Sequence, residues 1–542
     1  MTGIDVVAHK AACASLVARG QMLLITRYQG ALFGFPAGVA RRPRCPLCFL
    51  AVGGYEGVKA GGLGLLALRR GATFFAAGRG RDRLNGRRGL VAVVFVSSKH
   101  APRLSDRPPP CTVMVYPVRM AETSHELSTS VLRERLEAAF PSLLEELTQL
   151  VAIPSVSSDP AHAADLERSA EHLRERFEAL GLAAKVLRET AEDGTEGKPA
   201  IVAHTPHIEG APTVLLYAHH DVQPVGELSR WSMDPYKAEV RGDRIYGRGS
   251  SDDGAGVTVH LGSLSILGAD LPVNVVVFIE GEEEIGSPSF TAFLDAHKDE
   301  LAADVIVVTD SSNWKPGEPA VTSTLRGNAI VTVDVTVADH AVHSGAFGGP
   351  LLDSVAISSM LIASLFDEKG DVAVPGLGGS DHADVDWPEK ELREAAGMVE
   401  GLQLAGSGDI AARMWTKPSI SVIGFDARPV SNASNTIAPH TRFRLSMRTV
   451  PGVDPTQAQA KLADFLLSHV PFGARVEVTC EDAGAGYQAD MDSPVTKTLH
   501  ECLTEAWGVP SVNIGVGGSI PFISDFQRIF PGAQVVVTGV ED

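Results

Sequence analysis

Cysteine is scarce. Six in 542 residues cannot form a disulfide framework for a chain of this length, which points to a reducing, cytoplasmic setting. Long apolar runs are missing as well. No stretch of about 18 uncharged apolar residues occurs, so a membrane-spanning helix is excluded. The opening MTGIDVVAHKAACASLVARG has no basic segment ahead of an apolar core, so no secretory signal is expected. Positive charge is in deficit: 47 Lys and Arg face 66 Asp and Glu, a net of −19. Neither nucleic acid nor an anionic membrane suits such a chain as its main partner. There is no internal repeat. What is present is ordinary for a globular protein, with 44% hydrophobic and 21% charged residues. At roughly 150 residues per domain, the length suggests three to four domains.

Acidic residues are almost absent from one end. Residues 1–119 hold 18 Lys and Arg against 4 Asp and Glu, a net of +14. The remaining 423 residues carry −33. Four of the cysteines, Cys13, Cys45, Cys48 and Cys111, also lie in the basic part. Its Arg and Gly are scattered without period (GRGRDRLNGRRG), and Pro108–Pro110 reads as a linker. VAVVFV at 91–96 reads as one buried strand. Residues 1–119 are therefore expected to be a poorly patterned extension, and Met120 a conventional start that makes the upstream part a mis-assigned one. A transit peptide or a nucleic-acid-binding tail is the alternative. Cys45-Pro46-Leu47-Cys48 has no second pair, so a zinc or redox role is not expected of it.

Regular patterning begins after Met120. Leu132, Leu136, Phe140, Leu143, Leu144 and Leu147 recur at helical spacing, with Pro141 expected to bend or restart the helix. A second helix is expected near 163–180, with Leu166, Leu173, Phe177 and Leu180 on one face and Gly181 as its C-cap. Short apolar runs follow: TVLLY (213–217), VNVVVFI (273–279), DVIVVT (304–309) and QVVVTGV (534–540). Helical patterns lie between them. This predicts an α/β fold with a mostly parallel sheet. Between 325 and 486 the texture shifts. AIVTVDVTV (329–337) and RFRLSMR (442–448) alternate with period two, with helical stretches near 351–366 and 456–469. That predicts an α+β insert with a half-exposed sheet.

The chemistry-bearing residues follow the buried runs. His219-His220-Asp221 follows the first, Glu280-Gly281-Glu282-Glu283-Glu284 the second and Asp310 the third. Open α/β sheets place ligands at the carboxyl ends of their parallel strands, so these clusters should converge on one crevice. Gly247–Gly254 is a Gly-rich loop that adds the adjacent carboxylates Asp252 and Asp253. Imidazole with several carboxylates and no thiolate suits Zn²⁺, Mn²⁺ or Co²⁺ in a hydrolytic site. One carboxylate can bridge two ions. Of two adjacent glutamates, one can ligate while the other takes a proton from water. An Asp two residues after a His can orient the imidazole. Taken singly, a His is more often structural and a Glu run more often an exposed helix start. The joint pattern, each cluster behind a buried strand, is what favours the metal site.

These residues resemble the di-zinc aminopeptidase-like amidohydrolases. That family includes carnosinase-type dipeptidases, succinyl-diaminopimelate desuccinylase, acetylornithine deacetylase and aminoacylase. The matching stretches are His219–Pro224, Tyr246–Gly254, Glu280–Ser287, Thr309-Asp310, His343–Gly349 and Gly517–Pro521, in family order. Glu-Gly-x-Glu-Glu-x-Gly-Ser and His-Ser-Gly-x-Phe-Gly-Gly favour the dipeptidase branch.

The resemblance implies a parallel-sheet catalytic domain in two parts, 120–324 and 487–542, with a lid and dimerisation domain at 325–486. It implies His219 and Asp310 on one metal, Glu284 on the other and Asp252 between them, through a cis peptide to Asp253. Glu283 would be the general base and acid, and Asp221 would hold His219. His343 would reach across from a partner subunit to the oxyanion. Asn435 and Arg448 would contact substrate, and Gly518 and Ser519 would hold its C-terminal carboxylate. The implied protein is a cytoplasmic homodimer that hydrolyses dipeptides or short peptides with two divalent ions, most simply zinc. A further His ligand is expected beyond the last strand, but no His follows His500 and the sequence stops at Asp542. The expectation is a shortened end and a weakened second metal site. N-acyl amino acid deacylation on the same site is the alternative activity; an inactive fragment or a metal-dependent binding protein is the non-enzymatic alternative.

Overall fold

The computed structural model describes residues 128–518 and 521–540, and the backbone of 73–81 and 88–96. Those two short segments are antiparallel strands, Thr73–Arg81 and Arg88–Val96, in register from Thr73 opposite Val96 to Arg81 opposite Arg88. They belong to a unit separate from the one containing Leu127–Asp542. The apolar run 91–96 falls in the second strand, as expected. Its partner strand is an addition to the sequence reading. The Cys45/Cys48 pair and Met120 lie outside the described residues.

Helix Thr129–Val151 opens on Ser128, whose hydroxyl accepts from the Val131 amide. It runs unbroken through Pro141, which corrects the expected restart. Pro141 sits on the exposed side, where water can satisfy the carbonyl one turn back that loses its donor. Leu132, Leu136, Leu143, Leu147 and Val151 form the buried stripe. Helix Ala163–Ala179 buries Leu166, Ala170, Leu173 and Phe177. Gly181 follows at φ +87°, the left-handed conformation that ends helices at little cost for glycine. Leu180 is surface-exposed, outside the predicted face.

Six strands form the central sheet, in the order Gln534–Val537, Val305–Val308, Thr213–His219, Asn274–Glu280, Ala200–His204, Ala183–Leu187. The first four are mutually parallel; the last two are antiparallel. Thr213–His219 and Asn274–Glu280 are buried along nearly their whole length, as continuous apolar runs in a covered sheet should be. Helix Gly254–Leu267 is buried almost all round. One core lies against it; a second holds Tyr217, Phe278, Phe290, Phe522 and Phe526.

A second, antiparallel sheet has the order Ser419–Asp426, His440–Thr449, Gly327–Thr336, Arg475–Gly484. Residues 327–336 alternate strictly between buried and half-buried. Their apolar side packs on helices Ser354–Ala363 and Pro455–Ser468. A short three-stranded sheet joins Tyr487–Gln488, Ala320–Leu325 and Val512–Val516, the last two parallel. Among the described residues no helix is long and apolar enough to cross a membrane.

Candidate active site

Three parallel strands deliver the site at their carboxyl ends. His219 closes Thr213–His219 and stands opposite Glu280, the last residue of Asn274–Glu280. Asp310 lies two residues beyond Val305–Val308. His219 is fully buried. Its Nε2 lies 3.0 Å from Asp252 Oδ1 and 3.9 Å from Asp310 Oδ1. Its Nδ1 faces Asp221, 3.1 Å from the backbone oxygen and 3.3 Å from Oδ1. Donor atoms of His219, Asp252 and Asp310 all lie within 4.8 Å of one another.

Asp221 organises the far side. Its buried carboxylate accepts from the amides of Glu283 and Glu284, both at 3.1 Å. One side chain thus fixes both the imidazole and the acidic turn Glu283–Ile285. Burial acts to raise the Asp221 carboxyl, yet the bond and charge of His219 hold it below the ordinary range. The Asp252–Asp253 peptide is cis. Asp253 caps helix Gly254–Leu267 by accepting from Gly256 N, and it also accepts from His219 N, each at 3.1 Å. That second carboxylate is a scaffold, a role sequence spacing could not separate from ligation.

The glutamate run divides likewise. Glu280 accepts from Tyr217 Oη at 2.6 Å. Glu282 is buried and accepts from Ser289 N and Oγ and from Lys198 N, so its lone pairs are engaged by scaffold donors. Gly281 is required there: a Cβ would stand 2.3 Å from Pro199 O and 2.7 Å from His220 Nε2. His220 is structural, between Ser169 Oγ and Pro199 O. Glu284 is gripped by Gln223, from Nε2 at 2.7 Å and the amide at 3.1 Å.

The electrostatics suit a cation. Burial, with Asp310, Asp221 and Glu284 nearby, pushes Glu283 up to about 8 against the pull of His219. Burial and Asp252 push Glu284 up to about 7. Burial, then Asp252 and Asp221, push Asp310 up to about 6. Carboxylates this close resist joint ionisation unless positive charge sits among them. The imidazole gives the same indication. With its Nδ1 proton on Asp221, the Nε2 lone pair points at two carboxylates, a repulsive arrangement unless a proton or a metal ion intervenes. One imidazole and several carboxylates form a donor set that fits zinc, manganese or cobalt.

Of the predicted metal residues, His219, Asp252 and Asp310 come together directly. Glu284 stands beside them on Gln223, its carboxyl sensing the charge of Asp252. His343 is exposed, its Nδ1 accepting from Gly345 N at 3.1 Å. Asn435 neighbours it, its carbonyl accepting from Ser344 N at 2.9 Å. Arg448 lies on His440–Thr449, in register with Asn328 and Ser419. Gly518 follows strand Val512–Val516; Ser519 lies outside the described residues. His500 is bound to Ser511 Oγ and Asn513 Oδ1. The sequence reading missed the buried support beneath His219. His260, inside an apolar helix, lies 2.9 Å from Tyr217 O and 3.0 Å from Thr309 Oγ1. A lone His in GAGVTVHLGSLSIL was the available signal.

Known proteins resemble this chain along most of its length. The family model described as peptidase family M20/M25/M40 matches residues 215–542. The chain is 32% identical over 431 residues to a cysteinylglycine-S-conjugate dipeptidase of Corynebacterium striatum, covering 78% of this chain and 92% of the relative. It is 29% identical to a beta-Ala-His dipeptidase of Rattus norvegicus, covering 72% and 80%. The crystal structure of human carnosine dipeptidase 1 superposes with a TM-score of 0.58 at 26% identity, covering 76% of this chain and 91% of that one.

Proposed function

The chain belongs to peptidase family M20/M25/M40, and on that premise we propose that it hydrolyses the peptide bond of dipeptides or short peptides in a metal-dependent reaction. The observation that carries this reading is the convergence of His219, Asp252 and Asp310 at strand ends, with Glu283 held beside them by Asp221. His219 and Asp310 would hold one divalent ion, Glu284 a second, and Asp252 both. Zinc fits best, with manganese or cobalt as substitutes. Ions bound there supply an electrophile for the scissile carbonyl and acidify the attacking water.

The chain's own residues do the rest. Asp221 keeps the His219 proton on Nδ1, leaving Nε2 free to ligate. Glu283, held beside the cluster through its backbone by Asp221 and ionised once cations share the charge of the site, would take a proton from water. It then returns that proton to the leaving amine. His343, supplied by a second copy of the chain, would donate to the oxyanion. Asn435, Arg448, Gly518 and Ser519 would hold substrate. Residues 325–486 would act as a lid and homodimer surface between the two catalytic parts, 120–324 and 487–542. This division is supported by the return of Gln534–Val537 to pair with Val305–Val308 after the second sheet. The sparse cysteines support a cytoplasmic enzyme.

The test is a side-by-side assay of dipeptides and N-acyl amino acids, before and after metal removal. Dipeptide turnover that stops with a chelator and returns with zinc is the expected result. Turnover of N-acyl amino acids alone would redirect the assignment to a deacylase. No turnover of either class with two ions bound would overturn it.

A further inference from the structure

Arg326 sits between strands Ala320–Leu325 and Gly327–Thr336. Its guanidinium donates to four oxygens: Nε to Gly517 O at 3.0 Å, and Nη1 to Arg413 O at 3.4 Å, Lys417 O at 3.3 Å and Ser419 Oγ at 3.0 Å. All four are neutral. Burial and the positive charge of Arg448 bring the Arg326 guanidinium down to about 10. The charged neighbour that bears on this cation is therefore another cation. A charge placed so is costly unless an anion arrives to share it.

Gly517 opens the loop after Val512–Val516, a strand parallel to Ala320–Leu325. Across a trans peptide, the Gly517 carbonyl and the Gly518 N–H point in opposite directions. Holding that carbonyl on Arg326 turns the Gly518 N–H away from the guanidinium. Packing fixes the same plane. A Cβ on Gly517 would lie 3.0 Å from both Arg326 Nη2 and Met414 O. One on Gly515 would lie 2.5 Å from Thr324 Oγ1 and 2.6 Å from Trp415 Cβ. The end of helix Ile410–Trp415 and Arg326 thus clamp the loop from behind. The clamp is joined to the metal cluster: Ser311, next to Asp310, bonds Thr322 at 2.6 Å, and Thr322 is the register partner of Ile514.

We propose that Arg326 is a positioning residue for the substrate's C-terminal carboxylate. It aims the Gly518 N–H and lends positive charge to the place where that carboxylate docks. The inference rests on the dipeptidase reading above, and its test separates the two.

Kinetics are measured for wild type, Arg326→Gln, Arg326→Lys and Ser419→Ala on a dipeptide and on its C-terminal amide. A charge-assisted bond of this kind corresponds to about a 10- to 100-fold change. Arg326→Gln should raise KM for the free-acid dipeptide by that factor, change kcat less than about threefold, and leave the amide unaffected. Arg326→Lys should recover part of the loss. Ser419→Ala, which removes a different partner of the same guanidinium, should leave the acid-to-amide ratio at the wild-type value. Equal losses on acid and amide, or a loss confined to kcat, would overturn the proposal. The same proteins are titrated calorimetrically with a reduced-amide isostere of the dipeptide, as acid and as carboxamide. If wild type turns over no dipeptide, the functional reading fails. A preference for the acid isostere that Arg326→Gln abolishes would still support the inference, and no preference in wild type would overturn it.

Discussion

Glu283 and Glu284 are adjacent and identical in composition, and their surroundings give them different work. Glu284 is bound through its side chain by Gln223. Glu283 is anchored through its backbone by Asp221, which leaves its carboxylate to the crevice. Replacing Glu283 with Gln keeps the shape and removes the base. The expected outcome is a fall in kcat of about 100- to 10,000-fold, with metal content by elemental analysis at the wild-type level. Substantial remaining turnover would remove Glu283 from its role. At this scale the sequence was informative about which side chains gather and poor about their duties. His219, Asp252 and Asp310 could be assembled from their positions behind buried strands. Asp253, Glu282 and His220 carry the same chemistry and are engaged by scaffold groups, and only hydrogen-bond partners distinguish them. Arg326 was invisible because its partners, three backbone carbonyls and the Ser419 hydroxyl, lie far from it along the chain, at 413–419 and at 517.

Among elements, the outer strand Ser419–Asp426 is the most suggestive. It lies at the edge of its sheet, with Val422, Ile423 and Phe425 exposed at 44%, 52% and 37%. An apolar edge strand is unusual on a free surface and common at an interface. If residues 325–486 form the proposed homodimer surface, Ile423→Asp should convert the dimer to a monomer in sedimentation equilibrium. If His343 serves the neighbouring copy, kcat should fall with it, by about the 100- to 1,000-fold that one oxyanion donor supplies. A monomer with full kcat would retain the interface and discard the crossing histidine. The period-two runs at 329–337 and 442–448 made this sheet legible. The edge position was not, because strand order depends on pairings far apart in sequence. Pro141 shows the converse error: a local rule overridden by exposure on a helix whose other face is buried.

At the scale of the whole molecule, the acidic crevice ties stability to metal and pH. Glu283 and Glu284, raised to about 8 and 7, and Glu280, raised by burial to about 8, keep protons in the folded chain that the unfolded chain has lost. Their stabilisation is complete below the ordinary carboxylate range and disappears as pH rises through the folded values. Buried His260, lowered by burial to about 4, acts in the opposite sense, but only below the ordinary imidazole value of about 6.5. The metal-free protein should therefore lose thermal stability between about pH 6.5 and 8.5. Added zinc should raise Tm more at the upper end, since binding there displaces fewer protons. Calorimetry with and without a chelator checks this; a metal-free Tm that rises over that interval would contradict it.

The order of strands in the central sheet bears on how the protein is made. Val305–Val308 lies between Thr213–His219 and Gln534–Val537, and its outer neighbour is more than two hundred residues further along the chain. During synthesis, the strand leading to Asp310 therefore waits with one row of backbone donors and acceptors unpaired while the whole second sheet emerges. At about 5–20 residues per second that interval lasts roughly ten seconds or more. Nascent chains stalled within it should be sticky and dependent on chaperones, and the metal crevice should mature only when the last strand docks.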